Sequence, residues 1–126
     1  MAPYNWSGSD DLASNATYCS NNSLLLNATF IAVGGGETNT NLAKSQCLGG
    51  AVALVNNFNQ SNSTGYSDWF IPDANEAAEL IKVANRAGLI APGANWTTGT
   101  WGYWTSTEID ANTMRVYTGP GNGFDT

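Results

Sequence analysis

Five carboxylates, Asp68, Asp73, Glu76, Glu79 and Glu108, are the side chains of this sequence from which a reaction could be drawn. Two of them flanking a glycosidic bond could hydrolyse it, one as proton donor and the other as nucleophile or base. Each also has a plainer role open to it, as a helix cap or a solvated charge, and the plainer role is the expected one. The chain has no histidine, so it lacks the commonest metal ligand and the usual general base near neutral pH. Cys19 and Cys47 are spaced unlike any zinc pattern. They form one bridge or remain two thiols, and synthesis in a reducing cytoplasm favours the thiols. Cys47 falls on an apolar helical face, where a thiol packs as a small hydrophobe rather than reacting. The glycines at 34, 35 and 36 resemble a phosphate loop only in outline. No Gly-Lys-Ser/Thr follows and Glu37 would repel a phosphate, so a flexible turn is expected. The expectation is a protein without catalytic residues, metal or cofactor.

The elements that hold these residues belong to a chain of 126 residues, enough for one hydrophobic core. Hydrophobic residues make up 42% and charged residues only 11%, so the polar surface is built from uncharged Asn, Ser, Thr and Gly. Ten acids against four bases give a net charge of −6, the wrong sign for phosphate-backbone contacts, and nucleic acid is not expected as a partner. No apolar run approaches the roughly 18 to 20 residues that span a bilayer, so no membrane insertion is expected. The opening MAPYNWSGSDDLAS lacks the basic start and apolar core of a secretory signal. Release by host lysis, as for a virion protein, would reconcile that start with an extracellular-looking composition. Asn-x-Ser/Thr sequons begin at Asn5, Asn15, Asn21, Asn27, Asn59, Asn62 and Asn95. So much Asn, Ser and Thr generates them by chance, and no glycosylation is expected.

Residues 1–40 read as an N-terminal strand and loop extension, with short strands in SLLL (23–26) and ATFIAV (28–33) and a turn in GGGETNTN. Residues 41–126 read as the core of what is one compact domain. Leu42, Ala43, Cys47, Leu48, Ala51, Leu54, Val55 and Phe58 recur at spacings of three and four, which predicts a helix capped by Asn41 and weakened at Gly49 and Gly50. A second helix over 74–87 follows from Asp73 as N-cap with Glu76 three residues on, a capping-box pattern behind Pro72. Ahead of it, Trp69 and Phe70 lie in an extended stretch where neighbours face opposite ways, so one of the two should anchor the core. The tail predicts a strand through Trp101, Tyr103 and Thr105, a connection at 109–112, and a strand through Met114, Val116 and Tyr117.

Two separated segments, SDWFIPDANEAAEL and YWTSTE, followed by TMRVYTG, resemble the C-terminal domain of collagen-like bacterial adhesins, a family that also occurs in phage tail and receptor-binding proteins. The residues carrying the resemblance are Asp68, Trp69, Pro72, Glu79, Leu80, Tyr103, Trp104, Ser106, Thr107 and Glu108, and the helix with Cys47 fits the family's Ala-x-x-x-Cys helix. The match runs over roughly residues 42 to 120. It implies an α+β, C-type-lectin-like fold, with two helices packed on a small twisted antiparallel sheet and long loops between. In such a fold Trp69 and Trp104 would be wedged between helix and sheet, with Asp68 and Glu108 satisfying nearby donors. The family closes with a Val-Arg-Cys-Val-Arg strand that is missing before GNGFDT. Either this chain is incomplete, or a neighbouring chain or the N-terminal strand would complete the sheet, because an unpaired edge is a liability.

Calcium-dependent lectins of this topology use Glu-Pro-Asn or Gln-Pro-Asp with Trp-Asn-Asp, and neither motif occurs here. Trp96, Trp101 and Tyr103, in NWTTGTWGYW, could instead offer flat apolar faces to a sugar or a protein. The resulting expectation is a non-enzymatic phage protein on a tail fibre, tail tip or capsid surface. It would bind a host cell-surface glycan or protein, a neighbouring virion subunit, or further copies of itself as a homo-oligomer. A structural decoration or filament subunit and a bacterial surface adhesin are the competing readings.

Overall fold

The computed structural model describes residues 17–21, 26–29, 31–61, 65–87, 103–117 and 124–125. Its elements are α1 (Gly35–Lys44), α2 (Gly50–Ser61), α3 (Ala74–Arg86), β1 (Tyr103–Asp110), β2 (Thr113–Tyr117) and β3 (Phe124–Asp125). The class is α+β: three helices pack against an antiparallel β1–β2 pair, to which β3 adds two residues. α1 packs on α2 and β1, while α3 packs on both longer strands. The core gathers Tyr18, Cys19, Leu26 and Ala28 from the N-terminal part of the chain with Val52, Val55 and Ile71, so residues before 40 are integral to it. No described helix is long and apolar enough to cross a membrane.

α3 forms where its local signals place it. Asp73 Oδ1 accepts the N–H groups of Asn75 at 2.8 Å and Glu76 at 3.0 Å, and Glu76 Oε2 accepts the Asp73 N–H at 2.9 Å. This reciprocal capping box satisfies donors that the first helical turn leaves over. The hairpin also follows the pattern: β1 and β2 are joined by Ala111 and Asn112, with Asp110 Oδ1 accepting the Asn112 N–H at 2.9 Å.

Between these elements the structure corrects the expectations. The apolar helix predicted from Asn41 is two helices, separated at residues 45–49. Gly50, read as a weak helical position, has φ +81 and lies at the start of α2, and a Cβ there would come within 2.5 Å of the Thr17 carbonyl. Asn41 lies inside α1 and caps nothing, and the GGGETNTN turn is the start of that helix. The described residues therefore hold three helices where two were expected, and the boundary drawn between 40 and 41 cuts α1. ATFIAV is no strand among its described residues: Ala28 is buried, but Ile31 and Val33 are 49% and 75% exposed as the chain turns toward α1. Phe124 and Asp125 pair with Tyr117 and Val116 and so extend the sheet beyond β2 by two residues of the same chain. Finally, Cys19 and Cys47 are joined in a disulfide, where two thiols were favoured.

Candidate functional site

The N-cap of α1 is Gly34, whose φ of 100 suits glycine and which has no side chain to cap with. Its leading donors are satisfied from the start of α3. Glu76 Oε1 accepts the Gly34 N–H at 2.7 Å, and Asp73 Oδ2 accepts the Gly35 N–H at 3.1 Å. Two helix N-termini, each carrying partial positive charge, thus share one pair of carboxylates. Gly36 makes this approach feasible: a Cβ there would collide with Glu76 Oε2 and lie 2.8 Å from the Asp73 nitrogen. Thr40 adds a second tie, accepting the Ile71 N–H at 3.0 Å while donating to Gly36 O at 2.8 Å.

The two segments that carry the family resemblance meet at this junction. The Ser106 N–H donates to Pro72 O at 2.8 Å, and the Ala74 N–H donates to Thr107 Oγ1 at 3.1 Å. Irregular pairing between Trp104 and Asp110 interrupts the alternation of β1, and Thr105, Ser106, Thr107 and Glu108 are all buried. Glu108 is 4% exposed and accepts the Leu26 N–H at 2.7 Å and the Ala28 N–H at 3.3 Å, while its own N–H donates to Ala28 O at 2.7 Å. It holds the N-terminal strand-like segment against β1.

Trp69 and Trp104 are both half-buried against the core, but they do not clamp one layer together. Trp69 packs edge-on to Phe58 and Tyr66 and is fixed to α2 by Asn59, whose Oδ1 accepts the Trp69 N–H at 2.9 Å and whose amide donates to Trp69 O at 2.8 Å. That bond also commits the Asn59 sequon nitrogen. Trp104 instead packs edge-on to Tyr18, with ring centroids 5.9 Å apart. Phe70 is 37% exposed, so Trp69 is the anchor of that pair. Asp68 is exposed, and the buried carboxylate of the motif is Asp73. Glu79 is also exposed, and Lys82 at 2.6 Å holds its carboxyl below the usual range. Tyr103 lies on β1 opposite Tyr117, partly exposed. Trp96 and Trp101 lie outside the described residues.

A cleft of about 180 Å³ opens between Thr17, Tyr18, Cys19, Asn21 and Leu26 on one side and the turn end of the hairpin on the other. Tyr18, Trp104, Glu108, Asp110, Asn112 and Met114 are among its lining residues, and no Lys or Arg is. Of these, the sequence marks Trp104 and Glu108 as motif residues, Met114 as a strand residue, and Asp110 and Asn112 only as part of the connection at 109–112. Tyr18 carries no local signal, standing between a polar stretch and Cys19. Its hydroxyl is buried and has no hydrogen-bond partner among the described residues. Burial, and after it the Glu108 charge, pushes the Tyr18 phenol well above its ordinary value of 10.0, and burial also raises Tyr103. Asp110 is held below the usual carboxylate range, chiefly by the Asn112 N–H and then by Thr113. Among the described residues no three acidic or thiol groups converge as a metal site requires.

The raised phenols have a pH consequence of definite sign. The folded state holds the Tyr18 proton more tightly than the unfolded chain does, so the stabilisation is complete below pH 10 and is lost as pH rises beyond it. Melting followed by circular dichroism from about pH 9 to 11 should show a falling midpoint, and Tyr18→Phe should shallow that fall. Parallel declines in the two proteins would acquit Tyr18.

Comparison with protein-family models, with curated proteins and with solved structures finds no match for this chain.

Proposed function

We propose that this chain is a non-enzymatic, lectin-like display module, carried on a phage tail or capsid surface, that binds a host receptor or a neighbouring virion subunit. The observation that carries the reading is the use made of the motif carboxylates. Asp73, Glu76 and Glu108, three of the five candidate carboxylates, accept backbone N–H groups that join distant segments and so serve as scaffold. The joining of the two motif segments at Pro72–Ser106 and Ala74–Thr107 gives the family resemblance a structural reason. The reading assigns Trp96, Trp101 and Tyr103 to the partner as aromatic contacts.

The Cys19–Cys47 disulfide favours an extracellular setting, since such bonds persist in oxidising environments. A virion surface after lysis provides one, and so does the outside of a bacterium, which keeps the surface-adhesin reading as the second. Mass spectrometry of particles encoded by the same genome separates the two. Purified protein added in excess should then compete with those particles for cell adsorption. A folded Trp96→Ala, Trp101→Ala double variant should compete at least about tenfold less well, as loss of aromatic hot spots implies. Absence from particles rejects the virion setting, and undiminished competition by the variant rejects the aromatic surface.

A further inference from the structure

We infer that residues 17–20 form a strap across the start of α2 that oxidation fastens and reduction frees, a redox-controlled latch on the first turn of that helix. The inference stands on the Cys19–Cys47 bond and its surroundings and is independent of the display reading. Thr17 O accepts the Ala51 N–H at 2.8 Å and Tyr18 O accepts the Val52 N–H at 3.2 Å, so the strap supplies acceptors to leading donors of α2. The seat is shaped for it: a Cβ on Gly50 would lie 2.7 Å from Tyr18 O, and one on Gly49 would lie 3.1 Å from Ser20 Cβ. Tyr18 and Cys19 are buried while Thr17 and Ser20 are exposed, so the strap lies at the surface with one side toward solvent.

Leu26 and Ala28 are held separately. Glu108 accepts both of their N–H groups and donates its own to Ala28 O, and none of these bonds involves residues 17–20. The strap can therefore leave α2 while 26–28 stay on β1, a local opening that costs less than unfolding the whole. The bond itself lies inside: Cys19 is 5% exposed and Cys47 2%, both within the core. Its formation takes two protons and two electrons from the thiols, which a small-molecule disulfide such as oxidised glutathione accepts on becoming two thiols. That exchange passes through a mixed disulfide and needs access to a sulfur, so making and breaking the bond both require a lifted strap. With free thiols the strap exchanges between its two positions. Once closed, the bond ties the strap to the link at 45–49 and lies out of reach of a reductant. A reducing medium thus leaves the start of α2, and the edge of Trp104 against which Tyr18 packs, open part of the time, and an oxidising medium covers them.

The test is amide hydrogen exchange on the full chain, oxidised and reduced, at neutral pH without denaturant. Reduction should speed exchange at Ala51 and Val52 by about tenfold or more and at Leu26 and Ala28 by less than about twofold. The Cys19→Ser, Cys47→Ser pair should exchange like the reduced protein with or without reductant, which separates the latch from any other action of the reductant. Millimolar reduced glutathione should open the bond about a hundredfold more slowly in folded protein than in urea-unfolded protein, read by alkylation and mass. Equal acceleration at all four amides, or none at Ala51 and Val52, would overturn the latch. So would equal glutathione rates in folded and unfolded protein, or loss of tertiary structure on reduction, since the bond would then hold the whole fold rather than the strap.

Discussion

Asp73→Ala is expected to destabilise the protein by about 2 kcal/mol, through loss of the α3 cap and of the bond to the Gly35 N–H, which keeps Ala32 O at 2.8 Å as its other acceptor. Asp73 is fully buried, and its two oxygens accept the N–H groups of Gly35, Asn75 and Glu76. Asn75 and Glu76 belong to its own helix, whereas Gly35 begins another helix 38 residues earlier. Asp73→Ser separates these contributions, because serine can cap α3 but is too short to serve α1 as well. Urea unfolding should place the serine variant between wild type and alanine. In a cycle with Glu76→Ala the effects should fall short of additive, since both carboxylates hold the same end of α1. A Ser variant as stable as wild type would show that the bond to Gly35 contributes nothing.

Reduction of the disulfide, or the Cys19→Ser, Cys47→Ser pair, should cost about 3.5 kcal/mol on the chain-entropy model for a loop of this size. The bridged residues are 28 apart in sequence. The bond also lies beside a contact that needs the N-terminal segment in place: the Ala51 N–H donates to Thr17 O at 2.8 Å and the Val52 N–H to Tyr18 O at 3.2 Å. These carbonyls cap α2 in place of a side chain. Loss of the bridge should therefore lower the urea midpoint and raise hydrogen exchange first at Ala51 and Val52. An unchanged midpoint under reductant would contradict the assignment of the bridge as a stabilising element.

The parts of the fold that were legible are those whose signals are local. α3 announces itself within Pro72 to Glu76, and the hairpin within Tyr103 to Tyr117, because cap, strand and turn residues adjoin the elements they specify. α1 has no such signal. Its first residues are glycines, its N-cap has no side-chain bond, and its carboxylates arrive from α3. The periodic run from Leu42 to Phe58 was visible, but periodicity alone cannot reveal that Gly50 adopts a left-handed conformation beneath the Thr17 carbonyl. In β1 the motif residues were found, whereas burial of four consecutive polar positions was not. That depends on cover from both sides and on bonds to Pro72, Ala74 and Ala28. The cleft was the least legible feature, because the residues around Tyr18 and the hairpin turn lie more than eighty positions apart and nothing local links them.

The first turns of α1 and α2 are completed by atoms from elsewhere in the chain, and this bears on how the molecule is assembled in time. A short helix in water is poorly nucleated on its own, and α1 begins with residues that nucleate badly. Its carboxylates become available only after a loop of about forty residues has closed, so the entropy of closure is spent before α1 yields any return. α3 carries its own starting signals and is suited to be an early seed. α1 is expected to form late, consolidating what has already docked.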